Sequence, residues 1–357
     1  MDILKLSSTT ILSFYMPGQV FSRDMAKAEM EFKQLRSFWH PDKNSDPKAA
    51  EVFTRINNLW NKVKVITGGQ SKEFDLANDK STIHVHYQYA YDAGNLGTAY
   101  VGVNGVAYHV KPENSDLVNN WVDNQIIFLE RLGASVLGPA KEAMKGGFIH
   151  PSSVHVLEDT STLIVQRIPR LYTPLRQLYD HYKGRLPAKQ AAWIITRMFT
   201  SACLFEICGM VSNSFTLDSM FVFPGPGTHG GFELAAFGYS SILGGKLKFL
   251  PSENLDFYPA IGLSAKQAVF SADLVMLKRT GIQLLGDPTG VGTILIGDAS
   301  IPKLLLEFLM SPTKDTDSAL IGDVYRKYHD IVLLDSFGPR KYEESGVTTE
   351  DLYLENL

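Results

Sequence analysis

The hydrophobic period of this chain first changes at a glycine pair. Before the break at Thr67-Gly68-Gly69-Gln70-Ser71, apolar residues recur every three or four positions and Gly18 is the lone glycine; from Ile83 they alternate, as in Ile83-His84-Val85-His86-Tyr87-Gln88-Tyr89. A period near 3.6 gives a helix with one apolar stripe, and a period of two gives a strand with one apolar face. The chain is therefore expected to fold as an all-α unit over residues 1–68, a polar linker over 69–82 and a sheet-bearing body from 83 onward, an α+β protein. Its 357 residues are room for two to three domains. Lys and Arg outnumber Asp and Glu by three in residues 1–68, and the net charge of the whole is -4, so the two parts face different surroundings.

Composition sets limits. With 45% hydrophobic and 20% charged residues the chain has ample material for a core, which excludes wholesale disorder. The negative balance excludes an overall basic nucleic-acid surface. Two cysteines, Cys203 and Cys208, can neither staple a secreted scaffold nor complete a zinc site, and a reducing cytoplasmic setting is expected. The first residues lack a basic start followed by a clean apolar run, so no signal peptide is expected. The longest apolar stretch, Ala191 to Val211, carries Arg197 and Glu206 and reads as a buried helix, with no membrane partner expected.

Within the first unit an amphipathic helix from about Arg23 to Trp39 presents Phe32, Leu35 and Trp39 and runs into His40-Pro41-Asp42-Lys43-Asn44, where proline ends it. A second helix starts at Asp46-Pro47, with Asp46 as N-cap, and places Ala50, Phe53, Ile56, Trp60 and Val63 on one face. Alone, a His-Pro-Asp tripeptide is equally an ordinary interhelical turn. In this setting the segment from about 20 to 66 resembles the J-domain of DnaJ-type co-chaperones. That resemblance implies contact with a DnaK-type chaperone ATPase through His40, Pro41 and Asp42 and a basic face comprising Lys33, Arg36 and Lys43, with Lys27 beside it. Neither a glycine/phenylalanine linker nor a cysteine-rich zinc module follows, so client binding of the usual kind is not expected.

The second body opens with strand signals. After Ile83 to Tyr89 come the turn residues Asp92-Ala93-Gly94-Asn95-Leu96-Gly97, then Ala99 to Val103, an Asn104-Gly105 turn, and Val106 to Val110. A helix carrying Leu117, Trp121, Gln125, Phe128, Leu129 and Leu132 follows, then a strand pair flanking Glu158-Asp159. Beyond Arg170 the pattern is mostly helical, with a short hairpin around Phe221-Val222 and Glu233-Leu234.

Taken in order, these segments resemble a protein kinase: a glycine loop at Gly94 and Gly97, Val106-Ala107-Tyr108-His109 in the place of Val-Ala-Ile-Lys, and Gln125 in the place of the C-helix glutamate. Gly209 to Val222 is similar to a catalytic loop, Ala236-Phe237-Gly238 to Asp-Phe-Gly, Tyr258-Pro259 to the end of an activation segment, and Asp273 to the start of the large helix. The resemblance implies a bilobal kinase-like fold over 83–342, with an antiparallel sheet lobe at 83–168 and a mostly helical lobe at 169–342. The segment from Ile301 to Tyr342 is similar to the C-terminus of a bacterial class in which a J-domain is fused to a kinase-like fold, which implies a bacterial or phage source.

The reacting groups of a kinase are altered. His109 stands for the phosphate-binding lysine, Gln125 for its glutamate, Ser214 for the catalytic aspartate, Ser219 for the metal-binding asparagine and Ala236 for the metal-binding aspartate. Gly94, Gly97, Ala107, His109, Gln125, Ser214, Ser219 and Ala236 thus outline a degenerate nucleotide pocket. Phosphoryl transfer needs bridging Mg²⁺ and a carboxylate by the attacking hydroxyl, so no catalysis, cofactor or metal is expected. The glycine loop is expected to fold inward, and His109 and Gln125 to make a neutral contact. The function expected is a non-catalytic co-chaperone that recruits a DnaK-type ATPase and binds a further, unidentified protein through a pseudokinase scaffold. A rival is an atypical kinase or transferase using Lys111 and Asp218, and a third reading is a viral decoy that binds host factors. His84 and His86 are two apart and His109 lies on a later strand, but without cysteine or carboxylate joining them the three read as exposed or core histidines. The tail 343–357 carries five acidic residues and no basic one and reads as a solvated end or a peptide for a basic surface.

Overall fold

The computed structural model describes residues 4, 6–14, 20–21, 25–68, 72–78, 81–102, 105–135, 148, 151–168, 172–223, 231–235, 237–250, 258, 264, 266–313 and 321–338. The expectations for Asn104, Ala236, Pro259, residues 339–342 and the acidic tail 343–357 lie outside them. The chain divides into two compact units that part between Lys72 and Glu73.

The first unit holds α1 (Ser8–Ser13), α2 (Met25–Phe38) and α3 (Ala49–Gly68). Phe32 stacks on Trp60 with centroids 4.5 Å apart, and Arg36, one turn on, lies over Phe53. Advance along α2 thus matches retreat along α3, so the helices are antiparallel. Leu35, Val52, Ile56 and Leu59 fill the interface, with Ile11 of α1 and Phe21 closing it. The α3 face is rotated from the one expected: Ala49, Val52, Ile56, Leu59 and Trp60 are buried while Ala50 is exposed and Phe53 half-exposed. Helix periodicity allowed both stripes; the aromatic stack of Trp60 on Phe32 selects one. Asp46 caps α3, its side chain accepting from the Lys48 amide at 2.8 Å and its carbonyl from Ala49.

At the start of the second unit two strands, β1 (Lys72–Asn78, its first residue at the boundary) and β2 (Ser81–Tyr87), pair as a ribbon. This corrects the linker expected at 69–82. Phe74 and Leu76 turn inward between exposed Glu73, Asp75 and Ala77, so a two-residue alternation is present, masked by charge on its outer face. Strands β3 (Tyr89–Asp92), β4 (Thr98–Gly102), β5 (Gly105–Val110), β6 (Pro151–Val156) and β7 (Thr162–Arg167) form an antiparallel sheet in the order β3-β4-β5-β7-β6. The run 83–89 expected as one strand is two, parted at Gln88.

Helix α4 (Ser115–Ser135) covers one face of this sheet, burying Leu117, Val118, Trp121, Gln125, Phe128 and Leu132. Then come β8 (Thr173–Pro174), α5 (Leu175–His181), α6 (Ala188–Ile207), β9 (Met210–Val211), β10 (Met220–Phe223), β11 (Gly231–Leu234), β12 (Ser241–Ile242), α7 (Phe270–Leu284), α8 (Lys303–Met310), α9 (Ile321–Lys327), a π-helical turn Tyr328–Leu333 and α10 (Leu334–Phe337). The apolar helix α6 packs at the centre of the larger core, and among the described residues no helix is long and apolar enough to cross a membrane. Phe128 of α4 stacks on Phe205 of α6 at 4.0 Å and meets Phe148 and Phe237 edge-on, which joins the sheet's helix to the helical region. Cys203 and Cys208 are free thiols, the first half-buried and the second buried, and burial pushes the pKa of each up to about 11.

Candidate functional site

In the second unit the candidate site is the space between β3–β5, α4 and the loop 212–219. Gly94–Leu96 forms a single 3-10 turn between β3 and β4, with Leu96 buried beneath it. Gly97 has φ +72°, and a Cβ there would stand 2.1 Å from the carbonyl oxygen of His109, so glycine is required on both counts. Asn95 donates to the Leu250 carbonyl at 2.7 Å, and the Asp92 carboxylate takes the Gly94 amide at 2.9 Å. The loop is thus tied at both of these positions.

On β5 the expected and observed faces differ. Val106, Tyr108 and Val110 point toward α4, where the Tyr108 ring meets Trp121 edge-on at 6.1 Å. Ala107 lies on the opposite face against Val85, Leu157 and Leu163. His109 shares that face, half-buried, and its Nε2 donates to Ser161 Oγ at 2.8 Å, since the serine hydroxyl itself donates to Asp159. His109 and Gln125 therefore do not meet, which corrects the contact expected between them. A strand has a side-chain period of two, so an offset of one residue transfers the strand-to-helix contact to Tyr108. Gln125 instead donates to the Ala235 carbonyl at 3.2 Å, and Gln166 of β7 donates to the same oxygen at 3.2 Å.

The loop after α6 is held from below by Asp273 at the start of α7. Its carboxylate accepts the amides of Ser212 and Asn213, each at 2.8 Å, and is wholly buried, which pushes its pKa up to about 7 against the pull of those two bonds. Asn213 takes a left-handed backbone at φ +58° and is fixed by bonds to Tyr239 and Tyr258. Ser214 is buried with its hydroxyl on Ser212 at 2.6 Å, and Ser219 pairs with Thr216 at 2.8 Å. Neither supplies charge.

Asp218 is the one buried carboxylate of this loop, and Arg176 of α5 takes both its oxygens, at 2.9 and 2.6 Å. That bond raises the Arg176 pKa further. Tyr91 of β3 donates to the Asp218 carbonyl at 2.9 Å, and Tyr89 donates to Asp180 of α5 at 3.3 Å. Burial raises the pKa of both phenols, so they act as neutral donors that clasp the sheet to α5 and the loop. Lys111 lies exposed beyond the end of β5. Chemically the space holds a satisfied ion pair, neutral phenols and amides, and an apolar filling that includes Phe221 and Tyr239.

No known protein family and no curated protein matches this chain. Among solved structures it is similar to the crystal structure of the BubR1 kinase domain. The two are 11% identical over 79% of this chain and 85% of that one, with a TM-score of 0.47.

The other expected site lies in the first unit. His40, Pro41 and Asp42 form an exposed turn after α2: the His40 ring rests edge-on against Phe53 at 5.3 Å, and its Nδ1 accepts the Asp42 amide at 3.2 Å. The Asp42 side chain is 84% exposed, with one carboxylate oxygen 3.7 Å from His40 Nδ1. Lys43 is exposed beside it, its amide bonded to the His40 carbonyl. On α2, Lys33 pairs with Glu29 at 4.0 Å, and Arg36 sits 5.8 Å from the centroids of both Phe32 and Phe53. The structure therefore brings Arg36 and His40 together on Phe53, with Lys33 one turn back.

Sequence reasoning did not find Tyr91, Tyr108 or Arg176. The alternation of bulky Val106, Tyr108 and Val110 was a usable signal for Tyr108. Arg176 reaches Asp218 across 42 positions of chain and has no local signature.

Proposed function

We propose that this chain is a non-catalytic J-type co-chaperone and adaptor, in which the helical hairpin recruits a DnaK-type chaperone ATPase and a kinase-like body binds a further protein. The observation that carries it is the exposed His40-Pro41-Asp42 turn between two antiparallel helices, with an exposed Asp42 carboxylate 3.7 Å from His40 Nδ1 and the cation Arg36 on the same side as His40. The imidazole braced on Phe53 fixes the turn, and the exposed carboxylate can meet a cationic groove on the ATPase.

The body supports the non-catalytic half of the reading. A phosphoryl-transfer site needs a free carboxylate for metal and an anchored loop over the phosphates. Here Arg176 neutralises Asp218, the loop at Gly94–Leu96 is folded onto β5, and Tyr91 and Tyr108 fill the space beneath it. A reducing, cytoplasmic setting fits the two free thiols.

The test is steady-state ATP hydrolysis by a DnaK-type ATPase with the full chain and with His40→Gln. Stimulation by the wild type, lost in the variant, is the expected result; no stimulation above background by the wild type ends the proposal. A pull-down with the same pair identifies the partner of the body, which is expected to be retained after His40→Gln while the ATPase is lost.

A further inference from the structure

The ribbon β1–β2 has two dissimilar faces. Phe74, Leu76, Ile83 and Val85 pack against Ala107, Leu157, Leu163 and Tyr100, and the Glu158 amide bonds the Ala77 carbonyl, so the ribbon is fastened to the sheet beneath it. The outer face carries Glu73 and Asp75 on one strand and His84 and His86 on the other. His84 Nδ1 lies 2.6 Å from Asp75 and His86 Nδ1 lies 3.3 Å from Glu73. Both pairs have the same sum of residue numbers, so each histidine is directly opposite its carboxylate. The carboxylates that the linear sequence did not place beside these histidines are supplied by the neighbouring strand, and His109 is not part of the group.

Four donors therefore stand at the corners of a rectangle, with Cβ atoms about 5 Å apart across the strands and residues about 6.6 Å apart along them. We propose that this face is a binding site for a borderline divalent cation of the zinc class, ligated by His84 and His86 with Asp75 or Glu73. Two imidazoles with carboxylate oxygen form a donor set suited to such an ion, which sits about 2.0–2.2 Å from each ligand. An imidazole two residues from another on the same strand face reaches a common point above the rectangle. As the side chains stand, each histidine is turned to its own carboxylate, and among the described residues no three such donors close on one point. All four are more than half exposed, at 60–71%, so only rotation of unhindered side chains separates the two paired contacts from a shared one. The anchored backbone keeps the four corners in place while this occurs, which limits the ordering to side chains.

The experiment is isothermal titration of the full chain, stripped with a chelator and dialysed, with ZnCl₂ in a non-coordinating buffer. One zinc per chain with a micromolar dissociation constant is expected, and His84→Ala and His86→Ala are each expected to weaken it by at least about tenfold. Asp75→Asn combined with Glu73→Gln is expected to weaken it as well, while MgCl₂ gives no comparable binding. Far-ultraviolet circular dichroism confirms that each variant is folded, and zinc is expected to raise the thermal midpoint of the wild type but not of the His84→Ala, His86→Ala double variant. Binding no tighter than millimolar, equal binding by magnesium, or zinc binding unchanged in the double histidine variant, which is adventitious surface binding, would each overturn the proposal. None of these outcomes bears on His40.

Discussion

Gly238 is pressed against the face of Trp121, and adding one methyl group there is the sharpest test of how the sheet and α4 are joined to the rest of the unit. A Cβ at 238 would lie 2.1 Å from both Cδ1 and Cγ of Trp121 and 2.4 Å from Cδ2. Ordinary contact begins near 3.4 Å, so in Gly238→Ala the two must separate by about 1.3 Å. Neither can do so easily. Trp121 is 0% exposed and abuts Tyr108, while Gly238 lies in a 3-10 turn between buried Phe237 and Tyr239, and its carbonyl accepts from Asn124 at 3.0 Å. Overpacking usually costs about 1–3 kcal/mol, and with a ring and a backbone as the colliding partners the upper end, about 3 kcal/mol, is expected. At a urea m-value of about 3 kcal/mol/M that is a fall of about 1 M in the midpoint, read by circular dichroism. Trp121→Leu relieves the clash, so it should cost less in the Gly238→Ala background than in the wild type, by about 1–3 kcal/mol of coupling. A Gly238→Ala midpoint within about 0.5 kcal/mol of wild type, or strict additivity of the two changes, would refute the packing argument.

Three further outcomes are expected. Asp273 keeps its proton in the folded chain up to about pH 7 but releases it near 3.8 when unfolded. The folded state therefore binds more protons within that window, and the stability from this group, full below the lower value, declines as pH rises toward 7, at no more than about 1.4 kcal/mol per pH unit; urea midpoints at pH 5 and 7 should fall more for the wild type than for Asp273→Asn. Arg176→Ala strands the nearly buried Asp218 carboxylate and should cost about 3 kcal/mol, with Arg176→Gln combined with Asp218→Asn costing less than the sum of its parts in denaturant melts. Mg-ATP should leave the thermal midpoint unmoved at millimolar concentration; a rise abolished by Asp218→Ala would restore the enzymatic reading.

Local pattern settled a large part of this architecture. Periodicity located α2, α3 and α4, because each buries one face and so repeats its apolar residues at a fixed interval, and the strand pair β6–β7 showed as two short apolar runs flanking Glu158-Asp159. Pro41 and Asp46-Pro47 marked the turn between the first helices, because a missing amide and a capping carboxylate act within a few residues.

Tertiary structure decided what depends on distance and parity. Whether His109 or Tyr108 faces α4 turns on a one-residue register that inverts every side chain of a strand, and the pairing with β4 and β7 fixes it. The 72–78 segment became a strand because its two apolar residues found the sheet, although its outer face is charged. Arg176 meets Asp218, and Asp75 and Glu73 meet His84 and His86, only because the chain folds back on itself. Sequence lists donors and charges one after another, whereas hydrogen bonds and ion pairs act over about 3–4 Å of space; which groups lie within that reach is a property of the fold.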